Sequence, residues 1–511
     1  MNKKRLSINL VANVFQVLSS LVISLYFTPY IVASLGTASY GFYAIAGSMI
    51  SYFTVFTTAL NSMANRFISI SWHKEKYDEA NMYYNTVLFS NIAISVVLSL
   101  FVIVFVAFLE NFINISPDVV VLDVKMLFGL VLLSALLLSA TSVFNCGTFC
   151  TNRLELKSGI MILNSIVRVA FLLAAFKLFK ANIAFLGYAT LIVTVIEVAF
   201  NFYFIKKLMS KLVFSIKYFN KKFVKILVSS GIWNSVNQLN TIMLNGLDVL
   251  MANLFITPGD AGILAISKSI PTIIWSLSAM MGGVFLPQFL IDYSKNNMDG
   301  LKNNFRISFN IMGFFASIVL TGFVVYGIDF YSLWLPDENS KIFYALSLLA
   351  LLPLFFTGST QVMGNVFVLT NKLKYPVVIT TIRAFLGVVL VYFILKYASY
   401  EIGLYAIAGV SSIFSVLYDL FFDTPYAAKC IGFKSSFFYK FKIKFLAVLA
   451  VLSGVFFGIK LLIVPNSWMN LVISAAISGV LGILINFVLY LSKEQRKGVY
   501  NKTKAVLIKN K

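Results

Sequence analysis

The chain has 511 residues, of which 59% are hydrophobic and only 12% are charged, with 41 Lys and Arg against 19 Asp and Glu. Soluble domains are typically about 45–50% apolar and about 25% charged, so this composition excludes an ordinary water-soluble protein and indicates solvation by lipid. One His excludes a His-based metal site, and three Cys argue against a disulfide framework, redox chemistry or zinc. The formal net charge of +22 does not indicate nucleic-acid binding, because the sequence offers no compact basic groove.

Apolar segments long enough to cross a membrane recur along the whole chain. About 20 consecutive apolar residues span the hydrocarbon core as a helix. We therefore predict an all-α polytopic membrane protein, whose first segment is a transmembrane helix because no small-residue cleavage site follows it. The fourteen predicted spans are 8–32, 40–63, 85–109, 124–148, 158–179, 183–205, 226–255, 261–286, 308–328, 342–369, 376–396, 402–424, 445–463 and 469–492.

The basic residues are distributed unequally between the predicted loops. Of the 41, we assign 32 to the side that carries the N-terminus, six to the other side and three to the spans. The positive-inside rule then predicts that both termini are cytoplasmic, in the inner (cytoplasmic) cell membrane. The largest loop, 206–225, is predicted to lie as an amphipathic segment on an anionic leaflet. The net charge is thus an orientation signal.

An internal repeat relates two six-span halves of the sequence. Chance similarity between apolar helices is the alternative, but polar and loop residues coincide in the same order in both halves. We predict an N-terminal bundle at 1–210, a C-terminal bundle at 211–430, and two extra spans with a basic tail at 431–511. Such halves would be related by an axis along the membrane normal, around a central cavity that opens to either side. The matching blocks are 40–50 with 261–270, Asn13 and Gln16 with Asn234 and Asn237, and 141–154 with 360–373.

Several short motifs are shared with a known family. They are Leu35-Gly36, Tyr40-Gly41-Phe42-Tyr43, Asn65-Arg66-Phe67, Thr151-Asn152-Arg153 and Ile402-Gly403-Leu404. With these motifs the chain resembles the polysaccharide transporter family, the O-antigen and capsule flippase branch of the superfamily that also holds multidrug exporters and peptidoglycan lipid flippases. The resemblance implies two six-helix bundles facing a central cavity, a non-enzymatic flippase, and an undecaprenyl-diphosphate-linked oligosaccharide as cargo. It brings no catalytic motif, so the site residues are inferred from their own chemistry.

Six ionisable residues fall within the predicted spans, where each costs a few kcal/mol and is expected to face a cavity or a partner. Residues predicted to lie at similar depths in the membrane form three pairs, each of one cation and one carboxylate. The alternative to a functional role is that these pairs only fix the packing of the helices and do not contact cargo. We predict that the cations bind the lipid diphosphate and that the carboxylates couple transport to H⁺ or Na⁺. The pairs are Arg168 with Glu197, Asp248 with Lys268, and Arg383 with Asp419.

Lys268 is the cation with the strongest functional interpretation. Its first-half equivalent is Gly47, so the charge departs from the repeat. Uncharged polar residues at helical spacing are predicted to complete a hydrated sugar-binding wall, with interhelical hydrogen bonding as the alternative. These residues are Asn13, Gln16, Asn234, Asn237, Gln238 and Asn365.

Two other functions differ from a flippase in what they require. A cation-coupled small-molecule or multidrug antiporter fits the same fold and needs no glycan lipid. A membrane glycosyltransferase or polymerase needs catalytic residues in a large outer loop, but the longest outer loops, 110–123 and 329–341, are short. We expect lipid-linked oligosaccharide and membrane lipid as partners, no nucleic acid, no cofactor beyond a coupling ion, and a monomer. A polysaccharide polymerase or glycosyltransferases are candidate protein partners.

Overall fold

A computed structural model of the chain describes residues 3–370, 372–397, 400–491 and 496. The described residues form helices and short loops, with no β-strand among them. This confirms the predicted all-α class. Asn371, the basic tail after residue 491 apart from Arg496, and the side chain of Asn13 lie outside the described residues.

Nineteen α-helices follow one another in the described chain. The first ten are α1 (Lys3–Leu35), α2 (Thr37–His73), α3 (Tyr77–Ala107), α4 (Val121–Thr141), α5 (Cys146–Cys150), α6 (Leu154–Leu178), α7 (Ala184–Leu208), α8 (Lys221–Thr241), α9 (Asp248–Phe255) and α10 (Pro258–Gly283). The others are α11 (Leu286–Ser294), α12 (Met298–Trp334), α13 (Ser340–Thr357), α14 (Asn365–Leu369), α15 (Lys374–Tyr397), α16 (Tyr400–Tyr418), α17 (Thr424–Ile431), α18 (Ser435–Leu462) and α19 (Trp468–Tyr490).

Thirteen helical segments of the described chain are long and apolar enough to span a membrane. Helices suit this role because every backbone group is hydrogen-bonded within the segment, which lipid requires. The predicted span 226–255 is not among the thirteen. It is helical, but a π-helical turn at Ile242–Gly246 separates the polar α8 from the short α9.

Two helix interruptions lie at equivalent positions of the sequence repeat. A 3-10 turn at Ser142–Asn145 joins α4 to α5, and a 3-10 turn at Gln361–Gly364 precedes α14. The offset between the two turns is the 219 residues that relate the sequence blocks. The residues before them, Thr141 and Thr360, have nearly equal φ angles of −103° and −108°. The two halves of the repeat therefore share an irregularity of the backbone as well as matching side chains.

Contacts within the chain divide it into two compact units. The first comprises Met1–Ile266 and Thr380–Ile407, and the second comprises Ser267–Ile379 and Ala408–Lys511. The predicted boundaries at residues 210 and 430 stay predictions. In the first unit, α8 packs closely on α2, because a Cβ on Gly231 would lie only 2.0 Å from the carbonyl oxygen of Ala59.

Two glycines related by the repeat touch each other in the first unit. A Cβ on Gly41 would lie 2.7 Å from the amide nitrogen of Gly262 and 3.0 Å from the carbonyl oxygen of Pro258. A Cβ on Gly262 would lie 1.9 Å from the carbonyl oxygen of Thr37. The start of α2 and the start of α10 therefore approach so closely that neither position has room for a side chain.

In the second unit, the two C-terminal helices α18 and α19 pack against α12. Polar groups tie them together, since the Asn486 amide donates to the Ser317 hydroxyl at 2.8 Å and to a backbone carbonyl of α12. The Tyr326 and Ser478 hydroxyls also lie 2.7 Å apart. Buried hydrogen bonds of this kind fix the register between helices that otherwise present apolar surfaces to one another.

Candidate functional site

The first unit contains a partly open cavity of about 450 Å³ between α1, α2, α4, α6 and α7. This volume falls in the range of about 300–1,000 Å³ that is usual for ligand sites. Polar and apolar side chains both line the cavity, and the polar ones come from all five helices. They are Gln16, Ser20, Ser24, Thr28, Tyr40, Tyr43, Ser134, Asn164, Ser165, Arg168, Thr190, Thr194 and Glu197.

Arg168 supplies the positive charge of this cavity. It lies in the middle of α6 and is half-buried. Its Nη1 donates to the hydroxyl of Tyr43, on α2, at 3.1 Å. A guanidinium has five N–H donors, so this contact orients Arg168 and leaves donors for an anionic group.

Glu197 supplies the negative charge. It lies on α7, is half-buried, and accepts a hydrogen bond from the Asn164 amide of α6 at 3.3 Å. Gln16 on α1 donates to the Ser20 hydroxyl at 3.3 Å. Three helices, α1, α6 and α7, therefore contribute a carboxylate, amides and a hydroxyl to the lining of this cavity.

The predicted pair of Arg168 and Glu197 lines one cavity, but each residue has its own neutral partner. Arg168 bonds to Tyr43 and Glu197 to Asn164. Among the described residues these two form no ion pair with each other. A separated cation and carboxylate can each bind a charged group without first breaking a salt bridge.

Asp248 begins α9, is separated from the π-helical turn by Leu247 alone, and is 9% exposed. The Tyr52 hydroxyl of α2 donates to the carbonyl of Gly246 at 2.5 Å and thereby holds this turn. A π-helical turn frequently marks a functional position in a helix. Asp248 is thus a nearly buried carboxylate at an irregular point of the backbone.

Lys268 lies on α10 in the second unit and is half-buried. The carbonyl oxygen of the neighbouring Ser267 accepts hydrogen bonds from Tyr331 at 3.4 Å and from Ser347 at 2.7 Å. These contacts fix the backbone from which Lys268 projects. The predicted pairing of Lys268 with Asp248 stays a prediction.

Asp419 begins a second π-helical turn, Asp419–Asp423, and forms a buried ion pair with Lys442 of α18. The two atoms, Nζ and Oδ2, lie 2.5 Å apart, and the side chains are only 3% and 7% exposed. Lys442 is not among the predicted site residues, because it lies just before the predicted span 445–463. The helical spacing of Phe438, Lys442 and Phe445, all buried, is the signal that could have found it.

The remaining predicted site residues lie in other parts of the fold. Asn234 and Asn237 are exposed and Gln238 is half-buried on α8, which packs against α2 and α3. Asn365 begins α14 after the 3-10 turn, and Arg383 is half-buried on α15. In the described part of the chain, the cavity brings together Gln16, Arg168 and Glu197 from the predicted set.

Residues 5–291, more than half of the chain, match the family described as "Polysaccharide biosynthesis protein". The chain belongs to this polysaccharide biosynthesis family. The assignment confirms the resemblance found in the sequence motifs. The chain is also similar to the "Uncharacterized membrane protein EpsK" of Bacillus subtilis (strain 168), with 29% identity over 516 residues, which cover 98% of this chain and 99% of EpsK.

Solved structures of similar fold are membrane transporters. The inward closed conformation of the lipid II flippase MurJ aligns with a TM-score of 0.66 at 18% identity, over 94% of this chain and 97% of MurJ. An inward-facing multidrug resistance transporter of the MATE family, within the MOP superfamily, aligns with a TM-score of 0.63 at 14% identity, over 81% of this chain and 98% of that one. This member of the polysaccharide biosynthesis family therefore has the fold of the MOP-superfamily transporters.

Proposed function

We propose that the protein is a flippase for an undecaprenyl-diphosphate-linked oligosaccharide, such as an O-antigen or capsule unit. It would move this cargo from the cytoplasmic to the outer leaflet by alternating access, with no covalent step. The observation that carries the proposal is the cavity of the first unit, lined by Arg168, Glu197 and uncharged polar side chains, in a chain of the polysaccharide biosynthesis family. Sugar hydroxyls need donors and acceptors, and a diphosphate needs cations, and this cavity offers both.

Arg168 is the residue that we assign to the diphosphate. Its contact with the Tyr43 hydroxyl holds the guanidinium toward the cavity, and its planar fork matches two phosphate oxygens. Lys268 and Arg383 are the further cations of the proposal. Gln16, with Asn13, Asn234, Asn237, Gln238 and Asn365, would hydrogen-bond the glycan, while the prenyl tail stays in lipid.

The carboxylates are proposed to couple transport to an ion gradient. Glu197 and Asp248 are acids held among helices of the first unit, where an H⁺ or Na⁺ would neutralise them. Asp419 is already neutralised by Lys442. An ion would therefore bind Asp419 only after Lys442 is displaced, which would link ion binding to a movement of α18.

The decisive experiment replaces Arg168 in a strain whose chromosomal copy is deleted. Arg168→Ala should leave folded protein in the membrane and cause lipid-linked glycan to accumulate on the cytoplasmic side. Arg168→Lys should retain part of the transport, because lysine keeps the positive charge but cannot make the two parallel hydrogen bonds of a guanidinium. Lys295→Ala, at an exposed lysine before α12, is the matched control and should transport normally. Unchanged glycan display with Arg168→Ala would contradict the assignment.

A cation-coupled small-molecule antiporter is the second candidate, because the MATE transporter shares the fold with a TM-score of 0.63. An antiporter would act without any glycan lipid. A deletion strain screened for drug sensitivity separates the two functions. Increased sensitivity with normal surface glycan would favour the antiporter, whereas lost surface glycan with unchanged sensitivity would favour the flippase.

The proposed cellular setting rests on the distribution of basic residues along the sequence. We propose a monomer in the cytoplasmic membrane with both termini in the cytoplasm, because the basic residues concentrate on that side. A polysaccharide polymerase or glycosyltransferases would supply or consume the cargo. Crosslinking in native membranes would test for both a second copy and these enzymes.

A further inference from the structure

The segment between α7 and α8 is fixed to α3 by side-chain amides. Asn81 accepts from the amide of Val213 at 2.7 Å and donates to the carbonyl of Lys211 at 3.1 Å. One helical turn later, Asn85 accepts from the amide of Ser215 at 2.9 Å and donates to the carbonyl of Val213 at 2.8 Å. Both asparagines are buried. The two amides bond the backbone of residues 211–215 on both its N–H and C=O groups, as a neighbouring strand would, and so hold this part of the segment along α3.

This segment and the helix ends on either side of it are basic, with apolar groups exposed among the charges. Residues 206–225, from the end of α7 to the first turns of α8, contain seven lysines and no Asp or Glu. All seven lysines are exposed, as are Val213, Phe214 and Ile216, the last at 61%. Exposed apolar groups among lysines suit the boundary between acyl chains and anionic headgroups.

An apolar groove of about 820 Å³ begins beside this segment and runs between α2, α3 and α8. Its lining is almost entirely hydrocarbon, including Phe56, Ile94 and Val228. One cation, Lys221 in the first turn of α8, stands among these groups. The groove therefore combines a channel for a hydrocarbon chain with a positive charge.

More positive charge lies close to Lys221 along the chain. Lys217, Lys222 and Lys225 flank Lys221 within nine residues of chain. The Phe214 ring packs on Phe89, a groove residue, with ring centroids 5.3 Å apart, so the basic segment and the groove form one surface. The anchored segment and the first turns of α8 give the backbone of these lysines a fixed position before binding.

We propose that this groove is a binding site for an anionic phospholipid of the cytoplasmic leaflet. One acyl chain would lie between α2, α3 and α8, and the phosphate would sit at Lys221. Basic pockets between transmembrane helices on the cytoplasmic side are a usual way to bind such headgroups. The proposal concerns a resident lipid and does not depend on the identity of the transported cargo.

The test uses the full chain purified in a neutral detergent. It is titrated separately with dioleoyl-phosphatidylglycerol and dioleoyl-phosphatidylcholine, and bound lipid is counted by native mass spectrometry. We expect saturable binding of phosphatidylglycerol that exceeds binding of phosphatidylcholine. Lys221→Gln should weaken phosphatidylglycerol binding roughly fivefold, the usual contribution of one lysine at an anionic surface. Lys295→Gln, at an exposed lysine outside the groove, should bind as the wild type does.

A second variant tests the hydrocarbon part of the site. Ala93 is exposed to the groove, so Ala93→Trp fills it without entering the helix core and should reduce lipid binding with no loss of folded protein. Equal binding of the two phospholipids, or wild-type binding by either Lys221→Gln or Ala93→Trp, would overturn the proposal. Displacement of phosphatidylglycerol by an equimolar polyprenyl diphosphate would also overturn it, because the groove would then belong to the cargo.

Discussion

The buried pair of Asp419 and Lys442 allows a quantitative test of how α18 is held. Lys442→Met removes the ammonium and leaves a carboxylate 7% exposed inside the second unit. Breaking a buried ion pair by removing one partner typically costs about 3–5 kcal/mol, because the remaining charge is desolvated and uncompensated. We expect a loss of this size in the free energy of unfolding for Lys442→Met.

The double variant Asp419→Asn with Lys442→Met should restore most of that loss. With both charges gone, no uncompensated ion remains, and replacement of a buried pair by neutral groups is often close to neutral in stability. The double-mutant cycle should therefore show a coupling energy of about 2 kcal/mol or more. Unfolding is measured by titration with sodium dodecyl sulfate in mixed micelles, with helix content as the signal.

Lys440→Met is the matched control, since Lys440 precedes Lys442 by two residues and is exposed. It should change the free energy of unfolding by less than about 0.5 kcal/mol, as surface substitutions usually do. If Lys442→Met is no more damaging than Lys440→Met, or if the double variant loses the sum of both single losses, the pair does not hold α18 as described.

Three further predictions concern packing, orientation and transport. Gly262→Ala should lower the free energy of unfolding of the purified protein by about 1–3 kcal/mol, because the added Cβ would lie 1.9 Å from a backbone carbonyl oxygen. Gly47→Ala is the control and should leave the free energy of unfolding unchanged, because no atom lies within 4 Å of its Cβ position. Asp118→Cys should react with an impermeant maleimide on intact cells, and Lys295→Cys only after permeabilisation; the reverse pattern would invert the proposed orientation. Lys268→Ala should cause lipid-linked glycan to accumulate on the cytoplasmic side while protein abundance stays normal, and normal glycan display would remove Lys268 from the cargo site.

The fold was largely predictable from the sequence because lipid imposes strong constraints on it. Apolar length predicts helices directly, whereas both 3-10 turns fall inside spans that were predicted as continuous helices, 124–148 and 342–369. The π-helical turns were not predictable, since nothing in the apolar pattern distinguishes Ile242–Gly246 from a regular helix. Helix ends also differed, as at α13, which ends at Thr357 before an irregular segment.

The site was predictable in its residue types but not in its partners. Charge within an apolar span singled out Arg168 and Glu197, and both line one cavity. Their hydrogen-bond partners, Tyr43 and Asn164, carry no such signal because uncharged polar residues are common in membrane helices. Lys442 was missed because spans were assigned from apolar length, and a lysine at a span end was counted as loop.

The contact between Gly41 and Gly262 bears on how a chain of this kind arises. Gly41 faces the carbonyl oxygen of Pro258, and Gly262 faces the carbonyl oxygen of Thr37. Thr37 and Pro258 occupy equivalent positions in the two halves of the repeat, as the two glycines do. This is the geometry of an isologous interface, in which residue i touches j and j touches i. Two copies of an unduplicated six-helix protein would make the same contact with a single glycine used twice. Gene fusion would convert that homodimer contact into an intramolecular one and allow the two positions to mutate separately, while the steric requirement for glycine persists at both.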